Sequence, residues 1–282
     1  MLFRSYVIGL GLLYMMTGTL NMADMSVLLP SAAGSRTLVT AIVLLIVGLS
    51  LKAGVFPLHG WLPAAYSQAP AAVAPFLAAA STKVAFYVLL RVVFTLFSGI
   101  DPAEVAPLLQ LLALLAVAGL IGGSVLALVQ KNGRRMLAYS GIAQIGAMIL
   151  GISLMNQEGV AASLVTLFNH ALTMALLFMC FGAFRLYAGA ERVADLDGLA
   201  ETMPRVAAAM TVGGLSLIGV PLTSGFVSKW ALAAAFLNQG FWPLAGAVLV
   251  SSVLTLIYMG RIIVGLYFRP VRRRAEIGRA HV

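Results

Sequence analysis

The stretch Lys52-Ala53-Gly54-Val55-Phe56-Pro57-Leu58-His59-Gly60-Trp61-Leu62-Pro63 decides how this chain folds. It ends an apolar run that starts near residue 38, so a lysine, a histidine and two prolines fall where a membrane-spanning helix would continue. Proline removes a backbone donor and clashes with the preceding turn, and glycine loosens what remains. Gly219-Val220-Pro221-Leu222-Thr223-Ser224-Gly225, just after Gly213-Gly214, repeats the pattern late in the chain. Both are predicted helix breaks at membrane depth, centred on Pro57 and Pro221. Freed backbone groups there need protein or a wet cavity to satisfy them.

Outward from these breaks the chain is overwhelmingly apolar. Hydrophobic residues make up 61% of its 282 residues and charged residues only 10%, and mean hydropathy is +1.02. A soluble domain is nearer half apolar and a quarter charged. About 20 apolar residues cross a bilayer core, which predicts an all-α, polytopic membrane helix bundle of about eight spans, two of them discontinuous. These lie near 3–22, 38–58, 73–97, 107–129, 134–154, 160–187, 206–237 and 242–268. No low-complexity linker divides them, so 1–268 reads as one translocating membrane domain and 269–282 as a basic tail. Within the tail, 276–282 reads as a translated adapter-like appendage. Met1 to Met22 reads as a spanning helix, not a cleavable signal.

The net charge of +9 does not point to nucleic acid, because the basic residues lie between apolar stretches. With alternating spans, Arg4, Lys131, Arg134, Arg135, Arg185, Arg192, Arg205, Arg269, Arg272, Arg273 and Arg274 share one side, against Arg36 on the other. The positive-inside rule makes the first side, with both ends of the chain, cytoplasmic in a cell (plasma) membrane. The lone cysteine, Cys180, allows neither an intrachain disulfide nor a cysteine-clustered metal site.

The broken spans share a Gly-Val-(Phe)-Pro-Leu core and stand an odd number of spans apart, so they must run in opposite directions. Inverted repeats place a transport site near such breaks. Ionisable residues at membrane depth are functional candidates. Arg91 and Arg261 lie near span ends and can snorkel. Lys83 sits mid-span among small residues, Lys52 precedes the first break and Lys229 follows the second. Desolvated lysine shifts its proton affinity readily, so Lys52, Lys83, His170 and Lys229 form a candidate proton relay. His59, inside the first break, is either a gate or a polar group lining the gap. All nine Asp and Glu fall in loops, at span edges or in the tail. The lysines are therefore neutral at rest, or their counter-charge comes from a helix or subunit outside this sequence.

At these residues the chain resembles the antiporter-like membrane subunits shared by Mrp-type Na+/H+ antiporters and respiratory complex I. The likeness rests on Lys52 to Ala65 with Ala69-Pro70, on Arg134 to Ser140 with Gln144-Ile145-Gly146, and on Pro221 to Lys229. Leu12 to Asp24 and Leu215 to Trp230 look most like the D-type subunit of Mrp antiporters. The resemblance implies helices six to thirteen of a fourteen-helix inverted-repeat fold. It carries lysine roles onto Lys52, Lys83 and Lys229 and a polar histidine role onto His170. It also implies an acidic partner on a fifth helix that this sequence does not contain, so the chain is expected to be a fragment.

The functional expectation is a subunit of a multi-subunit monovalent cation (Na+)/proton antiporter, with membrane subunits as partners and protons and Na+ as cargo. Neither a cofactor nor a metal is expected. One rival is a proton-pumping subunit of NADH-quinone oxidoreductase or a membrane-bound hydrogenase; another is a non-transporting scaffold. A translocase class would apply only within a complex I-like parent. No Ser/His/Asp arrangement, His-Glu-x-x-His spacing or phosphate loop supports another enzyme.

Overall fold

The computed structural model describes residues 4–270, apart from the side chains of Pro102 and Glu104. The rest of the basic tail and the appendage expected at 276–282 lie outside the described residues.

The described chain is helical. It runs through α1 (Arg4–Thr17), α2 (Met22–Leu28), α3 (Arg36–Ala53), α4 (Trp61–Gln68) and α5 (Val73–Phe76). A π-helical turn, Leu77–Ser81, joins α5 to α6 (Thr82–Arg91), and a second, Val92–Leu96, follows. Then come α7 (Pro102–Val129), α8 (Gly133–Ser153), α9 (Gln157–Ala188), the short α10 (Leu199–Thr202), α11 (Pro204–Ile218), α12 (Ser224–Asn238) and α13 (Trp242–Phe268). Asparagine, serine or threonine side chains accept from the first turns of α2, α3, α8, α9 and α12. This is how helix starts satisfy their orphan N–H groups.

Among the described residues, six helices are long and apolar enough to cross a membrane, or seven if the bent pair at the N-terminus is one span. The expected span 206–237 exists as two 15-residue helices, α11 and α12. The expected first span, 3–22, is not one straight helix. Gly18 takes φ of +70°, the Thr17 hydroxyl turns back to the Leu13 carbonyl, and Asn21 caps a new helix. The chain bends there by 60°. Arg134, the first residue of the expected span 134–154, is buried at the start of α8, where it donates to the Ala69 carbonyl at 2.8 Å.

Buried apolar side chains form two clusters. One takes α1, α3, most of α7, the second half of α8, the start of α13 and the end of α12. The other takes α4, the first half of α8, the second half of α9, α11 and the end of α13. α7, α8, α9 and α13 therefore pass from one layer to the other, whereas α3 stays in the first. α8 is buried along nearly its whole length and packs on α7 backbone to backbone. A Cβ on Gly123 would come 2.8 Å from the Ala143 nitrogen, and one on Gly146 2.8 Å from the Leu120 nitrogen. Small residues permit such close approach in membrane bundles.

Candidate functional site

Buried polar residues gather where the helices change layers. Along Val73–Leu96, Ala74 and Ala78 belong to one cluster and Ala85 onward to the other. Thr82 and Lys83 stand between them. Ser124 holds that place on α7, Ser140 and Gln144 on α8, His170 and Thr173 on α9, and Ser251 and Thr255 on α13. The result is a polar belt between two apolar layers.

Both breaks open at this belt. α3 packs in the first layer and α4 in the second, whereas α11 packs in the second and α12 in the first. The two interrupted helices thus cross the layers in opposite senses, as the inverted pattern in the sequence predicts. Their ends are built alike. The N–H groups of Gly54 and Val55 both donate to the Ser50 carbonyl, at 3.0 and 2.9 Å. Those of Gly219 and Val220 both donate to the Leu215 carbonyl, at 3.0 and 3.1 Å. Gly54 and Gly219 take φ of 80° and 86°, a left-handed cap that glycine adopts without a Cβ penalty. The Phe56–Pro57 bond is cis, and Leu222 takes φ of 74° in the second break.

Lys83 is 5% exposed. The π-helical turn before it loosens the helical ladder, and its Nζ donates to the Ala78 carbonyl within that turn. The Tyr66 hydroxyl takes the adjacent Leu77 carbonyl at 3.0 Å. Lys229, on the second turn of α12, donates to the Ile218 carbonyl at 2.8 Å and to the Ser252 hydroxyl at 3.0 Å. These acceptors are all neutral.

His170 is 5% exposed, and neither ring nitrogen has a hydrogen-bond partner among the described residues. It shares with Lys229, Gln144, Asn169, Thr173 and Ser228 a polar cavity with about 20 Å³ of space for water, enough for one molecule. Lys83 and Lys229 both lie within electrostatic reach of His170. The structure therefore brings Lys83, His170 and Lys229 into one electrostatic neighbourhood. Lys52 stands apart from that cavity, in the last turn of α3 at the rim of the first break. His59 lies inside that break, its ring stacked on Phe56 at 5.1 Å between centroids and set edge-on to Tyr139 of α8 at 6.1 Å. Its Nδ1 is buried and has no hydrogen-bond partner among the described residues. Pro57 lies between α3 and α4 and Pro221 between α11 and α12, both exposed.

Several polar groups of the belt escape a reading confined to charge. Asn169 donates to the Ser224 carbonyl at 2.8 Å, and Ser216 joins Thr173 at 3.3 Å and Ser224 at 3.2 Å. α9 thus grips both sides of the second break. Tyr258 donates to Ser140 at 2.8 Å and Thr255 at 3.2 Å, and Ser124 meets Ser251 at 2.8 Å. The available signal was serine and threonine at four-residue spacing in apolar helices, as in Ser251 and Thr255.

Helices broken at one polar level and crossing in opposite senses define a multi-pass membrane protein of the inverted-repeat kind. The chain belongs to the NADH:quinone oxidoreductase/Mrp antiporter transmembrane family, which matches residues 5–255. It is 42% identical over 264 residues to NADH-quinone oxidoreductase subunit N of Desulforudis audaxviator, covering 94% of this chain and 52% of that protein. It is 34% identical over 273 residues to the D-type subunit of the Na+/H+ antiporter of Alkalihalophilus pseudofirmus, covering 96% and 54%. Among solved structures it superposes on a chain of the Mrp complex from a Dietzia species with a TM-score of 0.86 and 33% identity, over 93% of this chain and 48% of that one. A chain of an archaeal membrane-bound sulfane sulfur reductase gives 0.87 and 33%, over 94% and 53%. The chain spans about half the length of the curated relatives it matches.

Proposed function

We propose that this chain is the core of a subunit of a multi-subunit Na+/H+ antiporter and that protons move along the polar belt through Lys52, Lys83, His170 and Lys229. The observation that carries this reading is the meeting of both helix breaks with a belt where two lysines and a histidine lie within electrostatic reach. A lysine held by neutral acceptors in a low-dielectric layer can exist with or without its proton. Charge placed on one such group lowers the proton affinity of the next. Water at the cavity beside His170 would connect donors that do not touch, and His59 would gate the first break.

In this reading the partners are other membrane subunits, as in the Mrp complex. The arginine-rich loops, the N-terminal end of this sequence and the tail face the cytoplasm. A proton-pumping subunit of NADH-quinone oxidoreductase is the second reading, favoured by the 42% identity to a subunit N. Both readings use the same residues.

The test is proton transport in membrane vesicles containing the complete protein with its partner subunits. Lys83→Ala and Lys229→Ala are each expected to abolish it. Undiminished transport in both variants refutes the relay. Dependence on Na+ without a redox substrate favours exchange, and dependence on quinone reduction favours the second reading.

A further inference from the structure

At the end of the bundle that carries the arginine-rich loops, a basic groove lies outside the polar belt. Its floor is built from two connecting segments. Asn132 and Arg192 form an antiparallel bridge, flanked by bonds from Val193 N–H to the Lys131 carbonyl at 2.9 Å and from Gly133 N–H to the Glu191 carbonyl at 3.2 Å. The second segment is pinned to α13, because Gly198 N–H donates to the Gly265 carbonyl at 2.9 Å. Asp197 packs so closely on Gly265 that a Cβ there would come 2.6 Å from its carboxylate. Arg261 reaches from α13 to the end of α7, donating to the Leu128 carbonyl at 2.9 Å and the Gln130 carbonyl at 3.5 Å.

These contacts frame a groove of about 350 Å³ lined by Lys131, Arg192, Arg261, Arg269 and Asp195. Its acidic groups are already engaged. Asp195 accepts from the N–H groups of Arg192 and Glu191 at 2.9 and 3.3 Å, and Asp197 pairs with Arg269 at 3.6 Å. The Arg261 guanidinium meets only neutral carbonyls among the described residues. Positive charge is therefore in excess.

The groove also descends into the membrane. Arg261 belongs to a helix long and apolar enough to span, and it stands about 12 Å along that helix from Arg269. Ile257, Val264 and Phe268 share the Arg261 face by helical spacing, and all are exposed. Val125 and Val129, near the α7 end that Arg261 caps, are exposed too. A cationic groove flanked by exposed apolar side chains, with Ile257 one turn deeper than Arg261, complements a molecule with an anionic head and hydrocarbon tails. Basic pockets between helices at the membrane surface select anionic headgroups.

We propose that this groove binds an anionic phospholipid, with its phosphodiester held by Lys131, Arg192 and Arg261 and its acyl chains lying over α13 and the end of α7. An acidic protein segment would match the charge but not the apolar descent from Arg261. The site is independent of the proton relay.

The test is native mass spectrometry of the purified chain in detergent, titrated with phosphatidylglycerol or phosphatidylcholine. Phosphatidylglycerol is expected to bind about tenfold more tightly or better. Lys131→Gln combined with Arg192→Gln leaves the Arg261 cap in place and should bring the two lipids within about twofold of each other. Arg36→Gln, at the opposite end, should leave the preference intact, with circular dichroism reporting folding in each case. Equal binding of the two lipids, or an unchanged preference in the double variant, overturns the proposal. Displacement of phosphatidylglycerol by equimolar glycerol 3-phosphate also overturns it, by showing a site for a free anion. Displacement by an equimolar poly-glutamate peptide would overturn it in favour of an acidic partner.

Discussion

The Nζ of Lys229 donates a 2.8 Å hydrogen bond to the carbonyl of Ile218, the last residue of α11, and so staples the second break shut from the far side. The first break has the same staple made of different chemistry. The Trp61 indole Nε1 donates at 2.9 Å to the Leu51 carbonyl, near the end of α3. A charged donor bonds about twice as strongly as a neutral one. Proton loss from Lys229 therefore loosens the second break, while the indole staple of the first is indifferent to protons.

Lys229→Met keeps the length of the side chain and removes the donor. It leaves the Ile218 carbonyl and the Ser252 hydroxyl without their lysine partner, which should lower stability by about 1–3 kcal/mol. Denaturant unfolding of the purified chain in mild detergent checks this. An unchanged midpoint would mean that the break is held by its backbone cap alone.

Trp61→Phe isolates the other staple, because it retains an aromatic ring and loses only the indole donor. The half-buried Leu51 carbonyl is left open, at an expected cost of about 1 kcal/mol. The pH dependence of unfolding should match that of the parent, since no titrating group is touched. A cost that varied with pH between neutrality and pH 9 would contradict a purely neutral staple.

Much of this architecture is written in residue types. Gly54-Val55 and Gly219-Val220 mark both breaks because only glycine takes the left-handed cap easily, and Lys83 marks the belt because lysine is costly at that depth. The bend at Gly18 was lost because hydropathy does not register backbone handedness, and the turn rests on the positive φ of Gly18. The hydroxyl contacts were lost for another reason. Ser124 and Ser251 lie 127 residues apart, and serine in an apolar helix most simply bonds its own preceding turn, as Ser124 also does with Leu120. The pinning of Arg134 to Ala69 depends likewise on tertiary contact rather than on local pattern.

Gly225 is a sharper probe of the second break than either proline. It lies against the Ser216 carbonyl, and any Cβ would collide with that oxygen. Gly225→Ala should push α12 away from α11, straining the Ser216–Ser224 and Lys229–Ile218 contacts together. The expected cost is about 1–3 kcal/mol, as for overpacking. Gly246→Ala, at a site with open space around it, is the control and should be neutral or slightly stabilising. Equal effects of the two substitutions in unfolding would show that the breaks are not tightly packed.

Tyr258→Phe removes one hydroxyl from the buried contacts that join α13 to α8. Ser140 and Thr255 lose a donor at 2.8 and 3.2 Å, yet Thr255 keeps its bond to the Ser251 carbonyl at 2.8 Å. A loss of about 1 kcal/mol is expected, with faster amide exchange in α8 near Ser140. Unchanged exchange there would argue that the hydroxyl contact does not help hold the two helices together.

His170 separates function from stability most cleanly. Both its ring nitrogens are buried, and neither has a protein partner among the described residues. Among the described residues, nothing the fold needs for hydrogen bonding is attached to it. His170→Leu fills a similar volume without polar atoms. The variant should unfold at equal or higher denaturant concentration, with a gain of up to about 1 kcal/mol. Proton transport in vesicles carrying the complete protein should fall at least about tenfold under the relay reading. A packing role predicts the reverse, with stability lost and transport kept. Both quantities are therefore to be measured on the same preparation, and loss of stability with full transport would remove His170 from the relay.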